Sequence, residues 1–279
     1  MINHAENKRL KLDGVKTDYI CFGSGEENLI LLPGVGDAFK TAEGTALPMS
    51  VLYRKFKDYR VYLFSRRNDL PMGFTTEDMA ADLAKAMDAL EIEKAHVVGV
   101  SQGGMITQCL ALDHPEKVDR LVLAVTCARP HKILEDIIGQ WLTMAEAGDY
   151  ENIMLDTAYR SYTGDYLEKN LRIYRMIAKV TKPKDFTRFR ILCEACLTHD
   201  VYDRLREIEA PTYVMGGGRD LIVGPEAAEE LAAAIPKSDL CVYRELSHGA
   251  YEQAKDFNDR ILRFLRMPEV SRYSKNPLE

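Results

Sequence analysis

The stretch His96-Val97-Val98-Gly99-Val100-Ser101-Gln102-Gly103-Gly104-Met105 decides how this chain folds. Ala95 to Val100 is almost wholly apolar and carries three valines. A strand covered on both faces reads this way, because neither side of its pleat meets water. Gly99, Gly103 and Gly104 bracket Ser101, so a strand, a sharp turn and a helix follow in quick succession. A G-x-S-x-G at such a junction is a nucleophile elbow. The turn holds the serine in a strained conformation, and only glycines let strand and helix approach so closely. The hydroxyl then stands above the sheet, beside the positive end of the next helix. Glycines and serines also coincide by chance in idle turns; the position between a valine-rich strand and a helix is what gives this motif weight.

Outward from this stretch the chain alternates strands and helices. Residues 9–23 read as two strands joined at Asp13-Gly14, a favoured hairpin turn. Asn28 to Leu32 is a short apolar strand leading into Pro33-Gly34-Val35-Gly36-Asp37, and Arg60 to Phe64 is another. Thr75 or Thr76 caps a helix with Glu77 and Asp78 in its first turn and Met79, Leu83, Met87 and Leu90 at helical spacing. The helix behind Ser101 ends near Asp113-His114-Pro115, and Arg120 to Val125 is a further strand. Between about 128 and 209 no strand-like run occurs, only helical periodicity; Ile173, Met176, Ile177 and Val180 mark one apolar face. Strands resume at Thr212 to Met215 and Leu240 to Arg244, with a helix from Pro225 through Ala234 between them. A last helix is expected from about Tyr251, carrying Phe257, Ile261, Phe264 and Leu265 inward.

This order predicts an α/β fold: a mostly parallel central sheet with helices on both faces. Residues 1–130 and 209–266 would form the core and 267–279 a C-terminal tail. Residues 131–208, inserted after the strand at Leu121, would form a helical cap over the carboxyl ends of the strands, where such sheets bind ligands.

Bulk properties narrow the function. The 279 residues include 46% hydrophobic and 29% charged side chains, ordinary for a globular protein. A formal charge of -6 argues against a nucleic-acid binder that works through phosphate contacts. No run approaches a membrane span, and the first residues hold no apolar signal core, so a cytoplasmic location is expected. The six cysteines fall mostly in apolar patterns and read as reduced thiols rather than a disulfide framework.

A serine hydroxyl needs a base, and the base needs a carboxylate to fix its tautomer. Asp220 follows the late strand and Gly216-Gly217-Gly218; His248 lies just past the final strand in Ser247-His248-Gly249. The order Ser101, Asp220, His248 is the one this architecture requires. Asp is also common in plain turns, and Asp220 gains its weight from standing between a late strand and a late histidine. Of the other histidines, only His131 and His199 lie where they could compete. A negatively charged oxygen needs donors: the backbone N–H of Gln102, and one from the 33–36 loop, assigned to Val35.

At this point the chain resembles the α/β-hydrolase fold superfamily, specifically its compact members with a helical cap. The resemblance covers essentially residues 10–266. It rests on Leu31-Leu32-Pro33-Gly34-Val35-Gly36, the Ser101 elbow, His114-Pro115-Glu116-Lys117-Val118, Gly216 to Asp220, and Ser247-His248-Gly249. It implies Ser101 as nucleophile, Asp220 as acid and His248 as base. Many members carry His-Gly before the oxyanion residue; here Pro33 replaces that histidine. Ser101 argues against relatives with an aspartate nucleophile, such as haloalkane dehalogenases and epoxide hydrolases.

The expected activity is cofactor-free hydrolysis of a small or medium ester, thioester or lactone through an acyl-enzyme, in the manner of a carboxylesterase. Carbon–carbon bond hydrolysis, peptidase and perhydrolase chemistry use the same triad. A ligand-binding receptor or scaffold with little turnover is the reading from another class. The expected partner is a small acyl substrate, with no metal and no nucleic acid.

Cys193-Glu194-Ala195-Cys196 lacks the further ligands or thioredoxin-like context that metal or redox work requires. Residues 169–190 are strongly basic, and helical spacing favours a solvated face over recruitment of an anionic substrate. Trp141, with Ile137, Ile138, Leu142 and Met144, fits either an acyl pocket or the cap's own core.

Overall fold

The computed structural model describes residues 4–268. Strands β1 (Glu6–Leu12) and β2 (Val15–Phe22) form a hairpin. Its turn residues Asp13 and Gly14 both have positive φ, 49° and 86°, as a two-residue turn matching the twist of its strands demands. Then come β3 (Asn28–Leu32), a 3₁₀ turn at Val35–Ala38, α1 (Ala46–Leu52), β4 (Arg60–Phe64) and α2 (Thr76–Ala89). Thr75 caps α2 in a reciprocal box with Asp78. The elbow joins β5 (Ala95–Val100) to α3 (Gln102–Asp113), and β6 (Val118–Ala124) follows. Four helices succeed one another without a strand: α4 (Lys132–Glu146), α5 (Tyr150–Ser161), α6 (Gly164–Val180) and α7 (Thr187–Thr198). The chain then returns through β7 (Thr212–Gly217), α8 (Ala227–Ala234), β8 (Ser238–Tyr243), α9 (Ala250–Gln253) and α10 (Phe257–Leu265).

The eight strands form one sheet in the order β1-β2-β4-β3-β5-β6-β7-β8. β1 and β2 run antiparallel to their neighbours, and β3 to β8 are mutually parallel. All six residues of β5 are buried. Its side chains alternate: Val97 joins the apolar cluster under α2, α3 and α8, while Val98 and Val100 join the one under α1, α9 and α10. Both faces are therefore covered, which is why the strand reads as a continuous apolar run rather than an alternating one.

A third cluster joins α4 and α7 to the sheet end. Trp141, Ile137, Ile138, Phe189 and Cys193 pack there with Met105, Ile222 and Val223. Trp141 is buried in it and donates its indole N–H to Asp156 at 2.7 Å.

Four expectations need correction. The last helix is two pieces, because Ala254 turns extended (ψ 118°) and the inward periodicity starts only at Phe257. The segment between β3 and β4, given no helix from sequence, holds α1, which buries only Ala46 and Ser50 and so leaves no apolar period to read. The last strand starts at Ser238 and ends at Tyr243. Finally, Ile173, Met176, Ile177 and Val180 do not face inward. α6 packs on α5, and the one fully buried residue it contributes is Ala178. The tail expected at 267–279 lies, from 269 onward, outside the described residues.

Candidate active site

Ser101 sits between β5 and α3 with φ 55° and ψ -123°, a left-handed conformation that an L-residue adopts only under constraint. The constraint is crowding. A side chain on Gly103 would place its Cβ 2.3 Å from the Leu32 carbonyl oxygen, and one on Gly99 would lie 2.4 Å from Thr107 Oγ1. The elbow thus presses against β3, and the glycines are what let it do so.

The Ser101 hydroxyl lies 2.9 Å from His248 Nε2. On the other side of the ring, Nδ1 is 2.9 Å from Asp220 Oδ2 and 3.2 Å from Oδ1. Oδ1 also accepts the backbone N–H groups of Ile222 and Val223, which fixes the carboxylate plane. Asp220 and His248 are buried, and Ser101 is partly exposed. Three residues from distant parts of the chain therefore form one hydrogen-bonded line. None of Gly216, Gly217 and Gly218 has a positive φ. Gly217 instead permits a close approach: a Cβ there would meet the Ser247 carbonyl oxygen at 2.4 Å. That approach nests the Asp220 loop against the His248 loop.

Gln102 and Gly103 open α3, whose first amides have no acceptor within the helix. The 33–36 loop lies across from them. A Cβ on Gly34 would be 3.1 Å from Ser101 Cβ, and Val35 begins the 3₁₀ turn just after it. Both backbone donors expected from sequence are thus carried by segments adjoining the serine.

Three other histidines, the two that could compete among them, are engaged elsewhere. His131 Nε2 lies 2.7 Å from Glu230, His96 Nδ1 lies 3.0 Å from Asp119, and His199 is buried with Nδ1 2.9 Å from Thr76 Oγ1. Burial lowers the His199 ring to about 4 and so keeps it neutral. Cys193 and Cys196 are buried; desolvation pushes Cys193 well up and Cys196 to about 12, so neither is a reactive thiolate. Among the described residues no three His, Cys, Asp or Glu side chains are grouped to share a metal ion, and no helix is long and apolar enough to cross a membrane.

Several residues around the serine carry no local sequence signal. The Gln102 amide donates to the Leu192 carbonyl and contacts Cys196 Sγ, tying α7 to the elbow. Arg188 of α7 reaches Asp37 Oδ2 at 2.6 Å and the Arg66 carbonyl at 3.1 Å, while Arg66 donates to the Pro33 carbonyl at 2.6 Å. Ser247 donates to the Arg160 carbonyl and accepts the Leu221 N–H, linking α5, the Asp220 loop and the His248 loop.

A parallel sheet with a strained serine at the end of a central strand is an α/β-hydrolase arrangement, and comparison with known proteins gives the same class. A family model for the α/β-hydrolase fold matches residues 28–151. The chain is 27% identical over 253 residues to a Caulobacter segnis protein provisionally named carbamate hydrolase RutD, covering 87% of this chain and 92% of that one. It is 27% identical over 281 residues to 2-hydroxy-6-oxononadienedioate/2-hydroxy-6-oxononatrienedioate hydrolase of Paraburkholderia phymatum, covering 90% and 91%. Among solved structures, MGS-M2, an α/β-hydrolase enzyme from a Medee basin deep-sea metagenome library, superposes with a TM-score of 0.83 at 20% identity over 94% of this chain and 98% of that one. The chain thus has the α/β-hydrolase fold, and its residues 28–151 match the model of that family.

Proposed function

We propose that the protein is a serine hydrolase acting on small or medium esters, thioesters or lactones through an acyl-enzyme. The observation that carries this reading is the unbroken line Asp220–His248–Ser101 at an elbow with positive φ. His248 Nε2 takes the Ser101 proton as the oxygen attacks the carbonyl carbon. Asp220 holds the Nδ1–H tautomer and stabilises the imidazolium. The N–H groups of Gln102 and Val35 receive the oxyanion. His248 then protonates the leaving group, and a water activated by the same ring releases the acid. Helices α4 to α7 act as a cap: Ile222, Val223 and Met105, near the triad, pack into the cluster that α4, α5 and α7 build. No cofactor has a role in this scheme.

A second reading changes the bond and keeps the triad. The Paraburkholderia relative bears the name of a hydrolase of a dienedioate, and the Caulobacter relative that of a carbamate hydrolase. A fluorophosphonate probe combined with a panel of p-nitrophenyl esters separates the cases. The proposal expects labelling at Ser101 and efficient ester turnover. Ser101→Ala should abolish labelling and lower turnover about 10⁴-fold or more with folding intact. Labelling without ester turnover favours the second reading. Retained hydrolysis in purified Ser101→Ala overturns the serine mechanism.

A further inference from the structure

The outward stripe of α6 is not needed by the fold. Ile173, Met176, Ile177 and Val180 recur at i, i+3, i+4 and i+7, one line along the helix. They are 42%, 64%, 36% and 79% exposed. The helix is anchored by a different line, Leu167, Leu171, Tyr174 and Ala178, which turns toward α5. Scattered exposed apolar residues are ordinary, but four in register on one helix are not.

The same segment concentrates positive charge in a chain whose net charge is -6. Lys169, Arg172, Arg175, Lys179, Lys182 and Lys184 are all exposed. None of the six forms an ion pair or hydrogen bond among the described residues; the nearby Arg188 and Arg190 do, with Asp37 and Glu194. Arg172, Arg175 and Lys179 form a second line adjoining the apolar one, and Lys169 falls within the apolar arc. The helix therefore has three stripes: one packed inward, one apolar and solvated, one cationic and unpaired.

We infer that α6 is a docking face for an anionic lipid surface. A helix lying in a bilayer interface sinks an apolar stripe among the acyl chains while flanking cations reach the headgroup phosphates. A folded protein partner fits less well. Four of the six cations are lysines, which protein interfaces disfavour, and none is held in place by a hydrogen bond. Long, unfixed ammonium groups suit a fluid array of charges rather than a set of carboxylates at fixed positions. This inference is independent of the bond that Ser101 cleaves.

The test is co-sedimentation of the full-length protein with vesicles of phosphatidylcholine alone and of phosphatidylcholine mixed with phosphatidylglycerol. The protein should sediment with the anionic vesicles only, and about 0.5 M salt should release it. Arg172→Gln/Arg175→Gln/Lys179→Gln should lower the partition coefficient about a hundredfold. Met176→Ser/Val180→Ser should weaken it as well. Both variants should keep the wild-type circular-dichroism spectrum and urea midpoint, which controls for folding. Equal binding to both vesicle types, no binding, or variants that bind like wild type would overturn the inference. So would a wild-type dimer that Met176→Ser/Val180→Ser converts to monomer, since the stripe would then belong to a second copy. Variant-sensitive binding to soluble polyglutamate without binding to anionic vesicles would assign the face to an acidic polypeptide instead.

Discussion

At the scale of single residues, the geometry around Ser101 depends on side chains that never touch it. Ser247 is 1% exposed, and its hydroxyl bridges the Arg160 carbonyl and the Leu221 N–H. The next amide but one, Gly249 N–H, donates to the Ser161 carbonyl at 2.6 Å. One short segment thus fixes His248 against both the Asp220 loop and the end of α5. Removing the Ser247 hydroxyl leaves a half-buried N–H and a carbonyl without their partner. Such a loss costs about 1–3 kcal/mol, enough to disturb loops but not to unfold a chain of this size. Ser247→Ala is therefore expected to lower kcat about ten- to a hundredfold with little change in KM, because the substrate pocket is left alone. A KM rise with unchanged kcat would show that Ser247 shapes the pocket instead. Ser101, Asp220 and His248 were legible because each follows the carboxyl end of a strand at a glycine-marked turn. Ser247 was not, because its partners lie 87 and 26 residues away and leave no spacing to read.

Elements show the same division. β5 and α2 could be read because burial sets their pattern: six buried residues in one, and Met79, Leu83 and Met87 at helical spacing in the other. α1 could not, since its exposed Leu47, Val51 and Leu52 follow no inward period. α6 misled for a related reason. Its strongest apolar line is solvated, and its packed line mixes tyrosine, leucine and alanine. α7 is fastened to the core by polar contacts that no periodicity reports. Arg188 spans from it to Asp37, which is 4% exposed, and to the carbonyls of Arg66 and Arg67. Breaking a buried pair from one side is more damaging than its net worth, because the remaining charge stays desolvated. Arg188→Ala should then destabilise the fold by about 3 kcal/mol. The check is the urea midpoint against wild type at unchanged m-value. A shift under about 0.5 kcal/mol would mean the pair behaves as a solvated surface bridge.

Over the whole molecule, the acid limit of stability is where a buried histidine matters most. His199 follows α7, and its ring meets Thr76 at the start of α2 and Cys109 in α3. It therefore sits where three elements meet, and protonating it strains the fold rather than one loop. Burial lowers its pKa from 6.5 to about 4, against the smaller upward pull of Glu77 and Asp200. Between those two values the unfolded chain binds a proton that the folded chain refuses, so stability must fall as pH falls. The stabilisation is complete above the unfolded value and is lost progressively down to the folded one, on the order of 3 kcal/mol in all. His199→Asn keeps a side-chain group beside Thr76 but cannot titrate. It should be less stable than wild type at neutral pH, yet its stability should fall less steeply between about pH 6.5 and 4. Carboxylates that titrate in the same range are common to both proteins, so the difference between the two curves isolates the ring. Parallel curves across that window would mean that His199 takes up its proton in the folded state, and that the junction of α2, α3 and α7 admits water.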